Sequence, residues 1–125
     1  MRIHILALDE VFDTGLSTLL DTLNIANDLA SSVDALSTRF NVTIIGMRRK
    51  IRTSQGFTVP VVATSRSESP DVVLIPALGA KMPETLELAL KRKDVRDAGS
   101  LLCELAGTNT LVGAACTGTF VLADT

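Results

Sequence analysis

An α/β fold with a mostly parallel sheet and helices on both faces is what this 125-residue sequence predicts, on three observations. Short, continuous apolar runs such as RIHILAL and DVVLIPA recur and close in turn residues, the pattern of strands buried on both faces. Amphipathic helical segments alternate with them, as parallel strands joined by crossovers require. The composition agrees: 46% of residues are hydrophobic and only 3% aromatic, with no Trp and no Tyr, so the core is aliphatic. A chain of this length makes one compact domain, residues 1–125, with no internal repeat or linker.

Residues 2–8, RIHILAL, read as the first strand, because the apolar run is short and Asp9 and Glu10 close it. After the loop 9–15 comes LSTLLDTLNIANDLA, in which Leu16, Leu19, Leu20, Leu23, Ala26, Asn27 and Ala30 share one helical face. Ile25 and Leu29 form a second apolar strip on that helix, suited to further packing or a subunit interface. FNVTIIGM (40–47) is rich in β-branched residues and reads as a second strand. RRKIRTSQGFTVPVV (48–62) is expected to be a hairpin or edge ribbon around Gly56, because Pro60 is poorly tolerated in a central strand. A polar loop (64–70) precedes DVVLIPA (71–77), another buried strand. PETLELALKRK and DVRDAGSLLCELAG are helical, the latter with Val95, Ala98, Leu102 and Leu105 on one face and Gly107 as its stop. TLVGAA (110–115) reads as the last strand, and GTFVLADT as the start of a helix that the chain's end cuts, so the domain is expected to be incomplete at its C-terminus.

Composition also excludes functions. The net charge of -2 and pI near 5.3 lack the broad positive field of an independent nucleic-acid-binding domain. The basic clusters RRKIR (48–52) and KRKDVR (91–96) read as solvated surface. Cys103 and Cys116 are too few for a disulfide framework and fall in no metal-binding spacing, so neither metal nor cofactor is expected. The N-terminus lacks the apolar core of a signal peptide, and no run nears the roughly 18 to 20 apolar residues of a membrane span. A reducing cytoplasm is the expected location.

In an open parallel sheet, ligands bind beyond the carboxyl ends of the strands, where strand order reverses. In a flavodoxin-like three-layer sandwich, three such ends are neighbours: Asp9, Glu10 and Asp13; Ala77, Leu78 and Gly79; and Cys116. Cys116 sits in AACTGT, with Ala114 two residues before it and Gly118 two after, as a tight strand-to-helix nucleophile elbow requires. Such a turn places the thiol at a helix N-terminus and aims the Thr117 N-H above the sheet. The alternative is a buried structural cysteine beside a turn. A catalytic thiol needs a base, and the single histidine, His4, falls toward the amino end of the sheet, where it reads as a packed or rim residue. Asn27, on the apolar helix face, is expected to hydrogen-bond nearby loop backbone.

The motif VGAACTGTFVLAD, with LLDTLNIAND, TSQGFTVP and PDVVLIPALG, resembles the class I glutamine amidotransferase-like (ThiJ/PfpI) superfamily. Within it, the chain resembles the N-terminal sensor domains of AraC-family transcriptional regulators, over nearly its whole length. The resemblance implies a ligand-sensing and oligomerising domain without catalysis of its own. Its binding residues would be Asp13, Gly15, Leu78, Gly79, Cys116 and Thr117, its ligand a small molecule, and its partner a second copy of itself. DNA would be reached only through a C-terminal helix-turn-helix domain that the chain does not contain. Gly15 stands where the superfamily's enzymes carry an acid, Ala77-Leu78-Gly79 replaces their Gly-Gly, and their histidine would lie beyond Thr125. The rival reading is a ThiJ/PfpI-type cysteine hydrolase or reactive-carbonyl enzyme with Cys116 as nucleophile; a redox-sensing thiol at Cys116 is compatible with the first.

Overall fold

The computed structural model describes residues 1–33, 39–64 and 69–125. Its elements run β1 (Arg2–Leu6), α1 (Asp13–Val33), β2 (Asn41–Gly46), β3 (Lys50–Arg52), β4 (Thr58–Pro60), β5 (Val62–Ala63), β6 (Val72–Ile75), α2 (Pro83–Leu90), α3 (Lys93–Ala106), β7 (Leu111–Ala114) and α4 (Gly118–Ala123). The sheet has the order β5-β2-β1-β6-β7, and its pairings are all parallel. Strand order reverses at β1, which has β2 on one side and β6 on the other.

Side-chain alternation along β1 divides the core in two, because successive residues face opposite sides of a sheet. Ile5 and Ala7 pack with Val11, Leu16 and Ile51 on the α1 side, joined by Leu19, Leu20 and Leu23 of that helix. Leu6 and Leu8 face the other way, into a cluster with Val95, Ala98 and Leu102 of α3, Ala89 of α2 and Val121 of α4. Helices therefore cover both faces, and the fold is the expected flavodoxin-like three-layer sandwich.

Three local differences from the sequence reading have physical causes. α1 begins at Asp13, inside the expected loop, so Gly15 lies in its first turn. β1 stops at Leu6, although Ala7 and Leu8 stay fully buried as the chain leaves the sheet. The ribbon splits: β3 and β4 pair antiparallel as a separate two-stranded sheet, with Pro60 opposite Lys50 at its end. The residues just after Pro60 then join the main sheet as β5 beside β2, in the register Ile45 to Val62 and Gly46 to Ala63. A two-residue strand carries no periodicity of its own, and only its partner defines it.

Asn27 ties α1 to the start of β2. Its amide nitrogen donates to the Phe40 carbonyl and its oxygen accepts from the Phe40 N-H, each at 2.8 Å. Ile25 and Leu29 of α1 are exposed, at 55% and 60%. Cys103 is exposed on α3. No helix among the described residues is long and apolar enough to cross a membrane.

Candidate functional site

Residues 10–12, just past β1, knit the carboxyl end of the sheet together. The Glu10 N-H donates to the Arg52 carbonyl at 2.6 Å, and the Ser54 N-H donates to the Val11 carbonyl at 3.0 Å, which folds the ribbon tip over the strand ends. On the opposite side the Gly79 N-H donates to the Glu10 carbonyl at 2.7 Å and the Phe12 N-H to the Ala77 carbonyl at 2.8 Å. Val11 thus bridges Thr53 and Leu78 at once. Gly79 is required here: a Cβ on it would lie 2.5 Å from the Ser54 Cβ and 2.9 Å from the Glu10 carbonyl oxygen.

A cavity of about 600 Å³ opens between the ribbon tip and the segment after β6, walled by Glu10, Arg52, Ser54, Gln55, Gly79 and Thr85 among others. It lies beyond β1 and β6, beside the reversal of strand order, where open α/β sheets receive ligands. Its size is within the range of small-molecule sites, and carboxylate, guanidinium, hydroxyl and amide groups converge in it.

Asp13, at the start of α1, holds the ribbon tip in place. One carboxylate oxygen accepts from the Ser54 hydroxyl at 2.8 Å and from the Gln55 N-H at 3.0 Å. Hydrogen bonding by the Thr53 side chain above all, then by Ser54 and the Gln55 backbone, holds its carboxyl below the ordinary value. Asp13 therefore acts on the cavity through the residues it positions. Gly15 follows Asp13 by two positions, and a Cβ there would make ordinary contact, at 3.7 Å, with Ala77. Leu78 is buried, and its carbonyl accepts the Thr117 hydroxyl at 2.8 Å, which locks the start of α4 to the segment after β6.

Cys116 has φ 53°, one of two non-glycine residues in the left-handed region among the described residues; the other is Glu10, at φ 58°. Both follow strands at the carboxyl end of the sheet, and such backbone conformations cluster where a site depends on them. The turn is tight enough to demand Gly118, whose Cβ would approach the Pro76 and Ile75 carbonyl oxygens to 2.5 and 2.7 Å. The thiol is exposed, so Cys116 is not the buried structural cysteine that its sequence context also allowed. The cavity walls are instead formed by the ribbon tip and the Gly79 segment. His4 is buried at mid-β1, paired in register with Thr43 and Val73, so it lies deeper in the sheet than the rim.

The six residues expected to bind ligand thus divide. Asp13 and Gly79 meet at the ribbon tip through Ser54, whereas Leu78 and Thr117 meet by a hydrogen bond. Glu10 was placed at the crevice by its strand end, whereas Arg52, Gln55 and Thr85 were missed as cavity residues. Two turn-forming stretches, Asp9-Glu10 and Ser54-Gln55-Gly56, were the available signal, but their approach rests on contacts across more than 40 positions of chain.

The fold is shared with solved structures. A crystal structure of an AraC family transcriptional regulator from Pseudomonas putida matches with a TM-score of 0.73 over 99% of this chain and 69% of its own, at 16% identity. The fold is ThiJ/PfpI-like. A Vibrio parahaemolyticus protein classed provisionally as a transcriptional regulator matches at TM-score 0.71 and 19% identity, over 99% of this chain and 60% of its own. A DJ-1 superfamily protein from Agrobacterium tumefaciens matches at TM-score 0.62 and 17% identity, over 98% of this chain and 56% of its own. No family model matches the sequence, and no curated protein does. The ThiJ/PfpI-like fold is therefore established through shape, and the chain spans less than two thirds of the second and third of these structures.

Proposed function

We propose that this chain is the ligand-sensing and oligomerising domain of an AraC-family transcriptional regulator, without catalysis of its own. The observation that carries the reading is the polar cavity of about 600 Å³ at the reversal of strand order, walled on one side by a ribbon that Asp13 pins through Ser54 and Gln55. A small molecule in it would contact the ribbon tip and the Gly79 segment, and Asp13, Gly15, Leu78, Cys116 and Thr117 would shape or line the adjoining crevice. Ligand binding would favour one position of the ribbon over another, a shift between conformers that exist without ligand. Two of the similar structures are named as transcriptional regulators. The exposed Ile25 and Leu29 strip on α1 supports pairing with a second copy in a cytoplasmic homodimer. Contact with DNA would be made by a separate helix-turn-helix domain.

The test is the sequence that follows Thr125 in the gene, with the response of the encoded protein to mutation. Two helix-turn-helix units downstream, and ligand-dependent DNA binding that survives Cys116→Ser, are expected. A short extension that carries a histidine and then stops would sink the reading. The exposed thiol and left-handed backbone of Cys116 favour one rival, a ThiJ/PfpI-type cysteine hydrolase or reactive-carbonyl enzyme. Turnover of a peptide or a dicarbonyl that disappears in Cys116→Ser would establish it.

A further inference from the structure

The two basic clusters that the sequence separates by some 40 positions meet in the folded chain. Arg48, just before the ribbon, Arg52, at the end of β3, and Arg92 and Lys93, at the start of α3, share one depression beside Asp9 and Glu10. It continues along the outer side of the ribbon, where Arg48, Arg49, Lys50 and Arg52 line a hollow of about 550 Å³ whose one acidic residue is Asp9.

The acids of this region are already engaged. Asp9 accepts the Arg52 N-H at 3.0 Å on one oxygen and Arg48 at 3.4 Å on the other. Glu10 and Asp94 are both bonded to Arg92, and buried Asp94 also accepts the Asp9 N-H. Lys93 pairs with Asp97. Among the described residues, the Arg52 guanidinium hydrogen-bonds the Gly56 carbonyl at 3.3 Å, and the exposed Arg49 and Lys50 have no ion pair. Four cations therefore face a concave surface against one acid whose oxygens are both occupied.

A concave surface lined by one sign of charge concentrates the opposite sign, and guanidinium groups bind phosphate or carboxylate oxygens through paired N-H donors. We propose that this depression is a binding site for a compact polyanion, a small molecule with two or more phosphate or carboxylate groups. A small anion fits better than nucleic acid. The hollow is small, about 550 Å³, and the chain as a whole carries a net charge of -2, which opposes the extended field that a DNA backbone needs. The site adjoins the larger cavity, with Arg52 and Gly56 lining both, and does not depend on the regulator reading.

Pyrophosphate and citrate, titrated by calorimetry and by amide chemical shifts into the full chain at low salt, distinguish phosphate from carboxylate recognition. Saturable binding of at least one, with shifts centred on residues 48–52, is expected. The exposed side chains make Arg49→Gln and Lys50→Gln safe for folding; each should weaken binding about fivefold, from one charge about 7 Å from a dianion at about 0.01 M salt. The double variant should lose about 25-fold on the same basis. Lys91→Gln, whose ammonium pairs with Glu87 on α2, should leave affinity unchanged. Absence of saturable binding by both anions, or equal affinity in the double variant, would overturn the assignment. So would tighter binding of duplex DNA than of either anion, with the shifts again at residues 48–52.

Discussion

A single methyl group at position 118 should destabilise this domain, although Gly118 is the first residue of a helix and alanine is the better helix former. The added Cβ would stand 2.5 Å from the Pro76 carbonyl oxygen and 2.7 Å from that of Ile75. Both are backbone atoms at the end of β6 or just past it, so neither can swing away as a flexible side chain would. Relief requires α4 to lift by most of an ångström, which loosens the buried Val121 against α3. Overpacking of this kind costs about 3 kcal/mol at the upper end of its usual range, against about 1 kcal/mol gained from helix propensity. A net loss of about 2 kcal/mol lowers the melting temperature by about 8 °C in a domain of this size. Gly99 in α3 provides the internal reference, because a Cβ there meets only the Thr125 Cγ2, at 3.4 Å. Gly99→Ala should be stabilised by about 0.5 to 1 kcal/mol. Urea or thermal unfolding of both variants measures the contrast. Gly118→Ala as stable as wild type, or no difference between the two, would refute the steric account of the turn at Cys116.

Asn27→Ala removes both hydrogen bonds to the Phe40 backbone and leaves a part-buried N-H and C=O without them, so unfolding free energy should fall by about 2 kcal/mol, with m unchanged in urea. Arg92→Met strips buried Asp94 and Glu10 of their cation; the loss should be about 2 kcal/mol, below a fully buried pair because Arg92 is 24% exposed. The Asp13 carboxyl has a folded pKa below its ordinary 3.8, so the stability that it contributes is fully present above that value and is lost as pH falls through the lower, folded one. Amide exchange at Ser54 and Gln55 should therefore accelerate in that acid range. In Asp13→Asn the same amides should exchange faster already at neutral pH, and unchanged protection there would remove Asp13 as the clamp of the ribbon.

Much of the architecture was legible because it is written in local pattern. The β1, β2, β6 and β7 runs are continuous and aliphatic, and the stripe Leu16, Leu19, Leu20, Leu23 repeats at helical spacing. Each signal needs only a dozen adjacent residues, because it is carried by residue type and spacing along the chain. The turn at Cys116 was visible for a similar reason, since Ala114 and Gly118 are small where strand and helix must approach.

The site was legible only in part. Gly79 was anticipated at the cavity, but the walls that Arg52, Ser54, Gln55 and Thr85 build depend on where the ribbon folds. That position is set by the bonds from residues 10–12 and Asp13, between segments about 40 positions apart, and no local spacing encodes them. The same holds for charge. RRKIR and KRKDVR look like two solvated stretches along the chain, and only the crossing of β1 between them brings Arg48 and Arg92 to one surface. The sequence by itself determined the layers, the strand directions and the tight turn, because these follow from periodicity and residue size. The tertiary structure alone decided which strand ends and which charges become neighbours, because electrostatic and hydrogen-bonding partners act through space and not along the chain.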